Sequence, residues 1–215
     1  MTERKLILFH SPQTRSSSAL ALLEELGVPF ELKVLNIKAG ENRQPGYLAV
    51  NPQGKVPALL DGEVLVTDRV AIFLHLADLF PEAGLAPALD DPQRGAYVHW
   101  LVHYGCSFEP AVVDHYLARP AMPISVSPYG DFDTVLRLIS ERLAKGPYLL
   151  GERFSAADLL WGMSLHYVTE FGLVPRSEVF DRYIERIMSR PSVLKIMAED
   201  AERAAEQQQA LDKAG

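Results

Sequence analysis

Residues 51–77 read NPQGKVPALLDGEVLVTDRVAIFLHLA, and their punctuation decides the fold. Asn51-Pro52-Gln53-Gly54-Lys55-Val56-Pro57 is dense in turn residues. Two short apolar runs follow, Ala58-Leu59-Leu60 and Val64-Leu65-Val66, parted by Asp61-Gly62. An Asp-Gly pair between apolar runs predicts a β-hairpin. Thr67-Asp68 then precedes Val70, Ile72, Phe73, Leu76 and Ala77, which recur at helical spacing and end before Pro81.

Towards the N-terminus, Lys5 to Phe9 (KLILF) predicts a buried strand, broken by Ser11-Pro12-Gln13-Thr14. Ala19, Leu20, Leu22, Leu23 and Leu26 predict a helix, and Gly27 suits its left-handed C-terminus. Phe30, Leu32 and Val34 alternate with Glu31 and Lys33, the mark of a half-buried strand. The strand–helix–strand order makes the first two strands parallel. Residues 38–47 read as loop with at most a helical turn. The order β-α-β, loop, β-β-α fills residues 4–80 and implies one four-stranded mixed sheet.

Residues 81–92 carry three prolines and read as a linker. Beyond it the patterning is helical throughout: 95–117, 132–145, 156–171, 178–189 and 192–210. The expected division is an α/β domain over 1–81, a linker over 82–92 and an all-α bundle over 93–215. Ser155-x-x-Asp158 fits a helix capping box and needs no catalytic explanation.

Composition narrows the function. The 215 residues carry a net charge of −7, against the basic balance of a nucleic-acid protein. The one cysteine, Cys106, excludes an internal disulfide and a CxxC redox pair, and is expected to be a small buried residue. The six histidines form no metal-ligand pattern. The N-terminal apolar run is too short for a signal peptide and no run reaches membrane-spanning length, so a cytoplasmic protein is expected.

Four motifs in register resemble those of the cytosolic glutathione transferase family, in its bacterial serine-type or beta/nu-like branches. They are KLILF with Ser11-Pro12-Gln13-Thr14-Arg15-Ser16, the Asn51–Pro57 turn, Thr67-Asp68-Arg69-Val70-Ala71-Ile72, and Gly151-Glu152-Arg153-Phe154-Ser155-Ala156-Ala157-Asp158. Arg190-Pro191 before the last helix is also similar. The resemblance implies a thioredoxin-like domain followed by a helical bundle, glutathione as co-substrate, and conjugation of its thiolate to an apolar electrophile in detoxification. It also implies a homodimer with each active site near the subunit interface; the charge and the short apolar runs lead to an expectation of no nucleic-acid or membrane partner. Glutathione-dependent reduction of disulfides or peroxides, and a non-catalytic ligand-binding or scaffold role, are the alternatives.

The same resemblance distributes the roles. Ser11 is the candidate to donate a hydroxyl to the thiolate, the alternative being a helix cap; Gln13, Thr14 and Arg15 are reserves. Arg15 stands where cysteine-type bacterial members carry cysteine, so cysteine chemistry is excluded there. Val56-Pro57 is expected to be cis and to offer the Val56 backbone to the cysteinyl residue. Asp68 meets the γ-glutamyl ammonium, the alternative being an N-cap, and Arg69, where serine or glycine is usual, meets its carboxylate at the helix start. Lys38 is the candidate for the glycyl carboxylate. Tyr104, Phe108, Glu109, His115, Trp161 and Tyr167 are candidate walls for the second substrate, against an ordinary role in the core. His10 is expected to be structural.

Overall fold

A computed structural model of the protein describes residues 5–214. By packing, the chain forms two compact units: Met1–Leu76 with Arg190–Gly215, and Ala77–Ser189. The last helix therefore belongs with the sheet, not with the helices that precede it in sequence.

In the first unit, β1 (Leu6–His10), β2 (Glu31–Val34), β3 (Ala58–Asp61) and β4 (Val64–Thr67) form one sheet in the order β2-β1-β3-β4. β1 pairs parallel with β2 and antiparallel with β3, which pairs antiparallel with β4. Asp61 stands opposite Val64, so the two-residue hairpin turn is Gly62-Glu63, and Gly62 supplies its positive φ of 61°. Helix α1 (Ser16–Leu26) buries its first eight residues and ends on Gly27 in the left-handed conformation. The polar stretch after β2 holds a 3-10 turn, Glu41–Arg43, and the short α2 (Pro45–Leu48). Helix α3 (Arg69–Leu79) follows β4.

The unit closes on α9 (Pro191–Ala214), which lies along α1. Glu25 accepts from Arg190 and from the Ser192 hydroxyl at one end of that contact. Lys195 reaches Glu24 at 2.7 Å on its outer edge.

The second unit holds α4 (Arg94–His103), a π-helical turn at Tyr104–Phe108, α5 (Glu109–Tyr116), α6 (Phe132–Leu143), α7 (Ala156–Glu170) and α8 (Glu178–Met188). The stretch expected to be a plain linker is anchored here: Leu85 is buried and its carbonyl accepts from Ala156 N at 2.8 Å. On α8, Phe180, Tyr183, Ile184 and Ile187 fall at i, i+3, i+4 and i+7 and are all buried. Ser155 and Asp158 form the capping box at the start of α7. No helix among the described residues is long and apolar enough to cross a membrane.

Candidate active site

Register brings the predicted site residues of the first unit to one end of the sheet. Phe9 pairs with Ala58, and Ala58 pairs with Thr67. Ser11 lies just beyond the end of β1, Pro57 just before the start of β3, and Asp68 just beyond the end of β4. All three leave the sheet at the same edge. Two strand spacings, about 10 Å, separate the first from the last, which is the length of an extended tripeptide.

The Val56–Pro57 bond is cis. The turn before it is held by side chains: Asn42 donates to Gly54 O at 2.8 Å, and Tyr47 Oη and Asn51 Nδ2 donate to Lys55 O at 2.5 and 2.8 Å. Gly54 has φ +62°, and a Cβ there would stand 2.7 Å from Asn42 O, so only glycine fits. The Val56 peptide groups make no hydrogen bond among the described residues, which leaves them open for an added strand.

Ser11 is 3% exposed. Its N–H donates to Ser16 Oγ at 3.0 Å, and its carbonyl accepts from Thr14 Oγ1 at 2.7 Å. Its own hydroxyl makes no hydrogen bond among the described residues and does not cap α1. That alternative is corrected here: two of the orphan N–H groups at the start of α1 are met by Thr14, whose Oγ1 accepts from Ser16 N and whose carbonyl accepts from Ser17 N. Thr14 is thus committed to the loop's own framework. Gln13 and Arg15 are exposed, Gln13 with a φ of 55°.

Asp68 is exposed with a φ of 63°, and its carboxylate makes no hydrogen bond among the described residues. It is therefore not a side-chain cap; its carbonyl takes the first bond of α3, from Ile72 N at 3.0 Å. Arg69 is half-buried at the first helical position. Lys38 is exposed and donates to Gln208 Oε1 at 3.1 Å on α9.

The candidate second-substrate residues divide by burial. Trp161, Phe108 and Tyr104 are 0%, 1% and 3% exposed and form one aromatic core with Trp100 and His103, so these three are packing residues. Trp161 Nε1 is satisfied within that core, donating to Trp100 O at 2.9 Å. Burial and the neighbouring His99 hold the His103 imidazole below its ordinary pKa. Glu109 is half-buried beside the Tyr104 hydroxyl. His115 is exposed and stacked flat on Phe132 at 3.9 Å, and Tyr167 is exposed and packed on Phe171. Cys106 is exposed on the π-helical turn, contrary to the expectation of a buried residue. The extra residue of a π turn shifts the phase of the face that follows it.

The sequence reading missed Asp200. This α9 residue is 1% exposed, and its carboxylate accepts from His10 Nε2 at 2.9 Å, Gln13 N at 3.2 Å and Ser17 Oγ at 2.5 Å. Burial pushes its carboxyl up, but the His10 hydrogen bond and charge, Ser17 and the Gln13 N–H outweigh burial and hold it below the usual range. No local pattern marks it; only an acidic residue on a buried helix face hints at a partner.

A serine loop, a cis-proline turn and an acidic helix start thus lie together at one end of the sheet of a thioredoxin-like domain. Residues 4–78 match the model of the glutathione S-transferase N-terminal domain. The chain is 30% identical to glutathione S-transferase GstA of Escherichia coli O157:H7 over 86% of its own length and 94% of that protein. It is 31% identical to Arabidopsis thaliana glutathione S-transferase F10 over 67% of its own length and 72% of that protein. Among solved structures, a Methylococcus capsulatus glutathione transferase superposes with a TM-score of 0.75 at 29% identity, covering 91% of this chain and 98% of that one. A sphingomonad glutathione S-transferase complexed with glutathione gives a TM-score of 0.75 at 28% identity and the same coverage. The chain belongs to the glutathione S-transferase family.

Proposed function

We propose that this protein conjugates the glutathione thiolate to an apolar electrophile, with Ser11 as the thiolate's hydrogen-bond donor. The observation that carries the reading is the convergence of Ser11, the cis Val56–Pro57 turn and Asp68 at one sheet edge. Glutathione lies there as an added strand: the Val56 backbone pairs with its cysteinyl residue, and the Asp68 carboxylate meets its ammonium group. Arg69 and the N-terminus of α3 take the γ-glutamyl carboxylate. The Ser11 hydroxyl, uncommitted among the described residues, donates to the sulfur and favours its anion. Lys38, whose ammonium spends one of its three donors on Gln208, takes the glycyl carboxylate. Glu109, His115 and Tyr167 retain surface for a second substrate. A homodimer, a cytoplasmic location and a role in detoxification complete the proposal.

A free thiol has a pKa of about 8.5, so lowering it by about two units favours the bound thiolate by roughly 2.7 kcal/mol. At pH 6.5 that raises the thiolate fraction about 50-fold. Calorimetric titration with glutathione, together with turnover of an activated aryl halide, tests the proposal. The wild type is expected to bind and turn over. Ser11→Ala is expected to bind within a few-fold while losing most of that factor at pH 6.5. Binding without conjugation by the wild type would point to the reductase or scaffold alternatives, and absence of binding would refute the proposal.

A further inference from the structure

Three side chains run in series from the C-terminal helix to the backbone of Ser11. Asp200 Oδ1 faces His10 Nε2 at 2.9 Å, and His10 Nδ1 faces Ser16 Oγ at 2.8 Å. Ser16 Oγ accepts the Ser11 N–H and lies 3.0 Å from the Ser11 carbonyl. The second Asp200 oxygen holds Gln13 N and Ser17 Oγ. His10, Ser16 and Asp200 are 0%, 0% and 1% exposed. Distances of this kind activate nucleophiles in hydrolases. Here Ser16 is sealed and its oxygen already accepts a backbone N–H, so no substrate reaches it. The series ends on the peptide groups of the loop, and its work is conformational.

The Asp200 carboxylate only accepts, so His10 carries a proton on Nε2. Ser16 Oγ lies 2.8 Å from His10 Nδ1 and 2.7 Å from Thr14 Oγ1, and it accepts the Ser11 N–H. Thr14 Oγ1 then serves the Ser11 carbonyl. Among the described residues, Arg203 is the other charged group paired with Asp200, at 3.3 Å on the same helix, and it also pairs with Glu199.

We propose that Asp200 is the positioning residue of the thiol-activating loop: from α9 it fixes the left-handed Gln13 directly and the Ser11 backbone through His10 and Ser16, and so aims the Ser11 hydroxyl. The catalytic part of this inference rests on the Ser11 reading above. It makes the C-terminal helix part of the active-site framework.

The test compares Asp200→Ala, Asp200→Asn and Ser16→Ala with Ser11→Ala and with Glu25→Ala, which loosens α9 without touching the loop. The readouts are the pH profile of kcat/KM and amide hydrogen exchange at Ser11 and Gln13. Asp200→Ala is expected to speed exchange at both amides while β3 stays protected. It is also expected to lower kcat/KM about fivefold at pH 6.5 and not at all near pH 9, as for a one-unit rise in the thiol pKa. Asp200→Asn is expected to restore most of this, because its carbonyl still receives Gln13 N and Ser17 Oγ while its amide donates to His10 in the other tautomer. Ser16→Ala, which cuts the series at its far end, is expected to shift the profile as Asp200→Ala does and keeps the test alive if the latter fails to fold. Glu25→Ala is expected to lower the melting temperature and leave the profile in place. If Ser11→Ala moves the profile while Asp200→Ala and Ser16→Ala do not, the positioning inference is wrong and the Ser11 reading stands. The inference also fails if Glu25→Ala shifts the profile equally, since any loosening of α9 would then suffice. If Ser11→Ala leaves the profile unmoved, the Ser11 reading is wrong, and exchange alone decides whether Asp200 holds the loop.

Discussion

Replacing Asp158 by asparagine separates two opposed contributions of one buried carboxylate. Asp158 is 0% exposed, with Oδ1 accepting from Leu149 N at 2.7 Å and Tyr183 Oη at 3.0 Å. Its Oδ2 accepts from Ser155 N at 2.9 Å and Ser155 Oγ at 2.8 Å. Burial pushes the carboxyl up to about 6, against the pull of Leu149, Ser155 and Tyr183. The folded value lies above the ordinary 3.8, so the folded state holds the proton more tightly. The group's contribution is therefore greatest in acid and is lost as the pH rises through about 6. Between pH 4.5 and 7.5 this amounts to about 2 kcal/mol. Asparagine does not titrate. Its carbonyl keeps Leu149 and Tyr183, but its amide meets the Ser155 N–H donor to donor, which costs about 1–3 kcal/mol. Urea unfolding followed by circular dichroism is the assay. Asp158→Asn should trail the wild type by about 2 kcal/mol more at pH 4.5 than at 7.5. Asp158→Ala, which abandons all four donors, should lose roughly 3–5 kcal/mol at neutral pH. A gap between wild type and asparagine that stays constant with pH, or widens as pH rises, would refute the argument, because the donors would then outweigh burial.

Other perturbations follow from particular positions. A Cβ at Gly162 would stand 2.4–2.6 Å from three carbons of Ile187, so Gly162→Ala should destabilise by about 2 kcal/mol or more despite the roughly 1 kcal/mol helix preference of alanine; thermal melts check this. Asp68→Asn keeps a residue tolerant of positive φ and removes only the charge, so it should weaken glutathione binding about tenfold, near 1.4 kcal/mol, with an unchanged melting temperature in the absence of ligand. Gln13→Gly should relieve about 1 kcal/mol of left-handed strain and lose a similar amount through a looser unfolded chain. Its melting temperature should therefore barely move while amide exchange in residues 11–15 quickens, and a large loss of stability would show that the side chain, not the backbone, matters there.

The elements legible in the sequence are those whose partners are near in the chain. The β1 run, the α1 stripe and its Gly27 stop, the hairpin at Gly62 and the capping box at Ser155 are each decided within a dozen residues, and the structure forms all of them. The placement of α9 is not decided that way. Its contacts are made 165–190 residues away, by Glu25 and His10, and amphipathic spacing says only that some face is buried. Asp200 was invisible for the same reason. The aromatic residues of α4, the π turn and α7 show the complementary limit. Helical spacing cannot tell a sealed ring such as Trp161 from a surface ring such as Tyr167, because both recur at the same period. The exposure of Cys106 follows a π turn that no residue type announces.

Where the fold holds unfavourable backbone is informative about its use. Among the described residues, the non-glycine residues with positive φ are Gln13, Asp68 and Ala118, and the first two belong to the two loops that leave the same sheet edge. Aspartate is tolerated in that region; glutamine has no such excuse and costs about 1–2 kcal/mol there. Such a residue persists only where its surroundings over-determine it. At Gln13 they do so through a carboxylate contributed by the last helix, which grips the N–H of the strained residue itself and secures both neighbouring segments through His10 and Ser17. A loop needed only to connect β1 with α1 could have relaxed, or carried glycine. Its conformation is instead imposed from outside the local sequence, which is what the role proposed for Ser11 requires: one orientation held before any ligand arrives.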